Sequence, residues 1–405
     1  MNSQQDELPA GSGEHLRTET LSRMTHQPSL GGRRDPNRPA IGTRMVQRSL
    51  VLLVGVLTLA VSGCASVYRR TAEVIGNRLG QTMKTGHFDV HWRADSRPAG
   101  MVNWVAKSAE QELARICAQL EVPNDRRYRI LLFKDAEDLH QTTKVPGFVD
   151  SFSFGDALFL ASYDDATRIH EMVHTVAGAK IGDASSWFLG EGLANALLGS
   201  VHGWDVHGIA KYYRQQKRLP PLAEMNGSPS VNAWMQTHGD LNTYDIAGSW
   251  MRFLIDTYGI ARTKRYYRGE KPEAAFGVSL DRLEAGWLAA LDAYRPSPEM
   301  ESQIALSGGA SPTRLVFFEG ESFGIEIAPD VPGKATTYRW RKDGADVPGG
   351  ASPMLRLGAA SADDSGAYVC EISYVPEPDV PVRQVSPPPF LLTIIPRTEI
   401  PAAKK

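Results

Sequence analysis

Apolar residues along this chain keep no single rhythm. Through residues 1–44 there is none: the segment is polar, rich in Gly, Pro, Arg and Ser, and cannot bury enough surface to fold. It reads as a disordered or mis-annotated leader, with Met45 the better start. From residue 85 onward, strand-like and helix-like stretches mix. Phe88, Val90 and Trp92 alternate with polar positions, whereas Val105, Ala109, Leu113, Ile116 and Leu120 recur at helical spacing. Residues 128–133 carry the strongest strand pattern. Residues 157–161 form a shorter strand; were it at a sheet edge, it could pair with an extended peptide. Asp164 and Asp165 suit the first turn of a helix that continues through Ile169, Val173 and Val176. Ser185 or Ser186 can cap a second helix through Leu198, with Leu189, Leu193 and Leu197 as its apolar stripe. Residues 227–240 read as a turn-rich border to a cleft.

Beyond residue 296 the period falls to two. Short apolar runs at 315–318, 323–327, 337–341, 367–370 and 390–395, with a turn at Lys342-Asp343-Gly344, predict a β-sandwich. The expected organisation is multidomain: leader 1–44, signal segment 45–63, tether 64–84, an α+β domain 85–296, linker 297–308, an all-β sandwich 309–397 and a tail 398–405.

Composition narrows the class. Of 405 residues, 44 are Lys or Arg and 46 Asp or Glu, a formal charge of −2, with no basic stripe in the body of the chain. That argues against nucleic acid as a partner. The segment from Met45 to Cys64 has a short positive region, an apolar run from Leu50 to Val61 broken only by Gly55 and Thr58, and small residues before Cys64. The core is short for a permanent span, and the layout is that of an export signal. With Cys64 set aside, Cys117 and Cys370 remain in different domains, so the fold must rest on apolar cores rather than on a disulfide.

The chemistry concentrates in His170-Glu171-Met172-Val173-His174, followed seventeen residues after His174 by Glu191 within Trp187-Phe188-Leu189-Gly190-Glu191-Gly192. On a helix, His170 and His174 share a face and can both approach one Zn²⁺. Glu171, one residue round, suits a general base acting on water. Glu191 is the best-placed third ligand, and an open fourth position separates a catalytic zinc from a structural one. Asn195, four residues past Glu191, can hydrogen-bond an imidazole nitrogen of His170 or His174. A developing oxyanion needs a Tyr or His donor besides the metal, and His202 and His207 are candidates.

These motifs resemble the gluzincin metallopeptidases, and among them the peptidase-MA-like bacterial domains. The resemblance covers about residues 85–295 and extends to Tyr244-Asp245-Ile246-Ala247-Gly248-Ser249-Trp250 and to Phe276-Gly277-Val278-Ser279-Leu280. It implies a zincin-like fold, zinc on His170, His174 and Glu191, Glu171 as the base, and a peptide or protein substrate; because Tyr244 opens the first of these phrases, it is the leading oxyanion donor, ahead of His202 and His207. Asn195 departs from the Asp found in many thermolysin-like members. Leu59-Ala60-Val61-Ser62-Gly63-Cys64 resembles the lipobox of bacterial lipoproteins, implying lipid on Cys64; Ala65 resembles the sorting pattern toward an outer membrane. The C-terminal phrases around Trp340 and Asp364-Ser365-Gly366-Ala367-Tyr368-Val369-Cys370 resemble the immunoglobulin-like fold, with Trp340 in the core, Tyr368 as the tyrosine corner and Cys370 a buried free thiol, since Ile325 or Ile327 stands where its partner would fall. Such a domain would serve as spacer, tether or binding arm for an envelope polymer or protein. The expectation is thus an envelope-anchored zinc peptidase. The alternatives are an inactive scaffold lipoprotein and an amidase on peptidoglycan stem peptides.

Overall fold

A computed structural model describes residues 65–395 apart from 146–148, 199–204, 240, 311, 328–333 and 377–379. The leader, the signal segment, Cys64, His202 and the tail lie outside the described residues. Thirteen α-helices and thirteen β-strands are described, mixed α/β in the first part and all-β in the second.

The first sheet contains β1 (Gln81–Lys84), β2 (Phe88–Trp92), β3 (Tyr128–Leu132), β4 (Ser151–Phe154) and β5 (Ala157–Leu160), in the order β1-β2-β3-β5-β4. β2, β3 and β5 are parallel, and β1 and β4 run antiparallel along the two edges. The period-two alternation of β3 and β5 divides their side chains between two layers. Ile130, Leu132, Leu158 and Leu160 enter the large core. Leu131, Phe133, Ala157 and Phe159 enter a smaller one on the opposite face.

The large core is covered by α2 (Val102–Gln119), α4 (Asp165–Lys180), α5 (Trp187–Leu198) and most of the helices that follow, while α1 (Ala65–Leu79) and α3 (Ala136–Thr143) cover the smaller face. Residues 65–84, within the segment 64–84 expected as a tether, are therefore structured as α1 and β1. Ala72, Ile75 and Leu79 give α1 a buried stripe, and β1 extends the sheet by pairing with β2. The strand at 157–161 is not the edge: β5 is flanked by β3 and β4, and β4 is the edge.

The chain continues through α6 (Val206–Gln215), α7 (Leu222–Gly227), α8 (Val231–His238), α9 (Thr243–Tyr258), α10 (Ile260–Tyr267), α11 (Pro272–Phe276), α12 (Leu280–Ala293) and α13 (Pro298–Leu306). The turn-rich reading of 227–240 gives way to α8, capped by Ser230 and anchored by Trp234, whose indole donates to Thr243 at 2.9 Å. The linker reading of 297–308 gives way to α13, whose Ile304 is buried in the large core.

The second part pairs β7 (Phe323–Glu326) with β10 (Met354–Leu357). Facing them is a sheet of β6 (Thr313–Phe318), β13 (Phe390–Ile395), β11 (Gly366–Val375), β8 (Lys334–Lys342) and β9 (Ala345–Asp346), with β12 (Arg383–Val385) beside β11. Trp340, Tyr368, Cys370 and Ile325 share its core, and Trp340 lies opposite Cys370 in the β8–β11 register. The Tyr368 hydroxyl donates to the Asp364 carbonyl at 2.9 Å, closing the corner its position predicts. Cys370 and Cys117 are free and buried. The sandwich is not a separate bead. Ile395 on β13 is fully buried in the large core, and Val316 and Phe318 of β6 pack against it.

Candidate metal centre

Helix α4 begins where Asp164 accepts from the Thr167 amide at 2.9 Å and from the Thr167 hydroxyl at 2.7 Å. Its Ile169, Met172, Val173 and Val176 are buried against the sheet. That anchoring leaves His170 and His174, one turn apart, on the flank facing α5. On α5 the Ser186 hydroxyl accepts from the Leu189 amide, so the first turn is capped as expected, and Glu191 projects toward both rings.

The three predicted ligands converge. His170 Nε2 and His174 Nε2 are 3.0 Å apart, and Glu191 Oε2 lies 3.0 Å from the first and 3.2 Å from the second. Donor atoms of all three lie within 4.8 Å of one another, a group able to hold a metal ion. Two imidazoles and a carboxylate suit several divalent ions. The electrostatics fit a site built around positive charge. Burial pushes the Glu191 carboxyl up, but the His174 and His170 rings outweigh it and hold the group well below the usual carboxylate range. Burial pushes His170 down, but Glu191, with help from Glu171 and Asn195, raises it above its ordinary value.

Glu171 leaves the face of the ligands, as expected one position round the helix, yet its charge is felt at both His170 and Tyr244. Tyr244, on the first turn of α9, has its ring centroid 6.0 Å from that of His170 and is 36% exposed. Burial first, then the charges of Glu191 and Glu171, push its hydroxyl far above the usual phenol range, so it remains a donor. His207 is not at the site. Its Nδ1 pairs with the Ser249 hydroxyl at 2.8 Å, Trp287 donates to the same oxygen at 3.0 Å, and burial lowers its pKa.

Asn195 accepts at Oδ1 from His170 Nδ1 at 2.8 Å, the contact expected of it. Sequence reasoning missed its other partner, Asp245, to which Asn195 Nδ2 donates at 3.0 Å. The only signal was the position of Asp245 beside Tyr244. It also missed Arg314, which reaches from β6 of the sandwich to within 3.8 Å of Asp164, the cap of α4. A cavity of about 540 Å³ opens there between the two parts, lined by Asp150, Asp164 and Thr167 on one side and Arg314, Phe317 and Ile325 on the other.

No family model matches the chain, and no curated protein matches it. Among solved structures it is similar to extracellular domains 3–5 of Drosophila OTK, at 22% identity over 21% of this chain and 34% of that one, with a TM-score of 0.16. It is also similar to the V domain of amphioxus IgVJ-C2, at 16% identity over 20% of this chain and 98% of that one, with a TM-score of 0.17. The chain thus spans about a third of the OTK structure. Scores this low carry nothing about fold or activity.

Proposed function

We propose that this protein is a zinc-dependent hydrolase of peptide bonds, a gluzincin-like metallopeptidase held at the cell envelope, facing the periplasm or the surface, by lipid on Cys64. The observation that carries the reading is the convergence of His170, His174 and Glu191 on one point with Glu171 beside them. The donor set fits the metal. A tetrahedral zinc with bonds of about 2.0–2.1 Å sets neighbouring donors about 3.3 Å apart, close to the 3.0–3.2 Å separations of these three.

Zinc, when bound, supplies polarisation of the scissile carbonyl and a lowered pKa for water. Glu171 takes the proton of the attacking water on its carboxylate and delivers it to the leaving amine. Tyr244, kept protonated, donates to the carbonyl oxygen as negative charge develops there. An extended peptide lies along β4, whose outer edge pairs with no strand among the described residues, and adds to the sheet by backbone hydrogen bonds. Among the described residues no helix is long and apolar enough to cross a membrane; in this reading the anchor is the lipid on Cys64.

The test is zinc content and peptide-library cleavage by the exported part of the chain, wild type against Glu171→Gln. Stoichiometric zinc in both, with cleavage lost in the variant, is the expected result. Zinc without Glu171-dependent turnover would instead make the protein a binding or scaffold lipoprotein. Turnover restricted to peptidoglycan stem peptides would make it an amidase.

A further inference from the structure

The amide of Asn195 can be oriented only one way. Asp245 offers acceptors alone, so Asn195 Nδ2 must face Asp245 Oδ1, at 3.0 Å, and Asn195 Oδ1 must face His170 Nδ1, at 2.8 Å. An acceptor at Nδ1 fixes the proton there. In the neutral imidazole, the form that binds a metal, Nε2 then carries the lone pair, toward His174 Nε2 and Glu191 Oε2. Asp245 is held in turn. Asn242, the N-cap of α9, donates Nδ2 to Asp245 Oδ2 at 2.7 Å and to the Gly309 carbonyl at 3.3 Å, and its Oδ1 accepts from the Asp245 amide. A line of hydrogen bonds therefore runs from the connector of the sandwich, through Asn242, Asp245 and Asn195, to His170.

We propose that Asp245 is a positioning residue for His170, acting through Asn195 as a neutral relay, so that the carboxylate behind His170 Nδ1 comes from α9 rather than from position 195 of α5. The inference rests on the metal-centre reading. A carboxylate that accepts from an amide N–H polarises the amide and makes its oxygen a better acceptor, so the imidazole gains much of what a direct carboxylate would provide. The relay also explains why position 195 is not acidic. An Asp there would set two carboxylates at the 3.0 Å spacing that now separates Asn195 Nδ2 from Asp245, and like charges so close cannot both ionise. The arrangement requires the close approach of α5 and α9, which makes it a property of the fold and not of the motif.

The experiment measures zinc affinity by competition with a chromogenic chelator, on the exported chain with its sandwich intact. The variants are Asp245→Asn, Asn195→Asp and the exchange of the two, and the melting temperature of each metal-free protein is recorded alongside. Asp245→Asn keeps the volume and removes the charge; it should weaken zinc about tenfold or more with the metal-free melting temperature little changed. Asn195→Asp alone should also weaken zinc, because it creates the carboxylate pair. The double variant restores one acid and one amide, with the acid now against His170, and should recover most of the affinity lost by either single change. Wild-type affinity in Asp245→Asn, or a double variant no better than the sum of its parts, would overturn the relay. A wild-type chain that binds no zinc would instead bring down the metal centre itself.

Discussion

Gly248 of α9 lies directly against Asn195 of α5: a Cβ at 248 would sit 2.8 Å from the Asn195 Cβ. Gly192 makes the reciprocal approach, where a Cβ would meet the Ala247 carbonyl at 2.7 Å. Two glycines thus let the helix carrying Glu191 close onto the helix carrying Tyr244 and Asp245. The geometry of the centre depends on that contact as much as on the histidine motif.

Gly248→Ala should therefore act on the site without touching a ligand. The added methyl has to displace Asn195 or separate the helices, at a cost of about 1–3 kcal/mol for overpacking, and zinc affinity should drop about tenfold as His170 loses its partner. Gly178→Ala on α4 is the control, since a Cβ there meets nothing within 4 Å; it should raise stability by up to about 1 kcal/mol. Chelator competition and thermal melting of the two variants check both statements. Equal effects would show that the α5–α9 approach is not special.

Tyr244→Phe separates the oxyanion donor from the metal. The ring keeps its place beside His170, so zinc binding and KM should be nearly unchanged, while kcat falls about 10²–10³-fold if the hydroxyl stabilises the developing charge. Steady-state kinetics on a peptide identified by the library screen read this directly. A fall confined to KM would move Tyr244 to ground-state binding.

How much of this was legible depends on range. The HExxH spacing places His170, Glu171 and His174 within about one helical turn, and Glu191 follows on the next helix, so the sequence sufficed to pick out the three donor atoms that converge. Tyr368 and Trp340 were legible because their neighbours are close in sequence or fixed by strand register. Asp245 was not, because its partner lies 50 residues away and meets it only through the glycine contact. Helix α1 was hidden because Ala72, Ile75 and Leu79 sit among Arg69, Arg70, Glu73 and Arg78, and its stripe acquires meaning only against the back of the sheet. The exchange of β4 for β5 at the edge reflects strand order, which side-chain alternation does not encode.

The two described cysteines give a pH-dependent prediction. Burial pushes the Cys370 thiol up to about 12 and raises Cys117 as well. An unfolded thiol ionises near pH 8.5. Above that pH the unfolded chain releases a proton that the folded chain keeps, so stability is unaffected below it and falls as pH rises toward the folded value, by up to about 1.4 kcal/mol per pH unit for one such group. At pH 8 the native protein should leave both thiols unlabelled by a disulfide reagent and expose them only on denaturation. Urea unfolding between pH 7 and 10 should show the slope, and Cys370→Ala should flatten it. Rapid labelling of the native protein would place a thiol at the surface.

Ile395 tests whether the two parts fold as one. It belongs to β13, yet its side chain is fully buried in the core of the part that carries His170, His174 and Glu191, with Val316 and Phe318 packed against that core. Ile304 of α13 joins the same core, and the Ser386 amide donates to the Leu306 carbonyl across the connector at 3.1 Å. Removing the sandwich would therefore expose apolar surface and cut the support of Asn242 by Gly309. Ile395→Ala should cost about 2–5 kcal/mol and lower one common unfolding transition, followed by tryptophan fluorescence for the whole chain and by zinc release for the centre. Two separate transitions, with only the sandwich destabilised, would show instead that the parts are thermodynamically independent and that the buried contact of Ile395 is not shared between them.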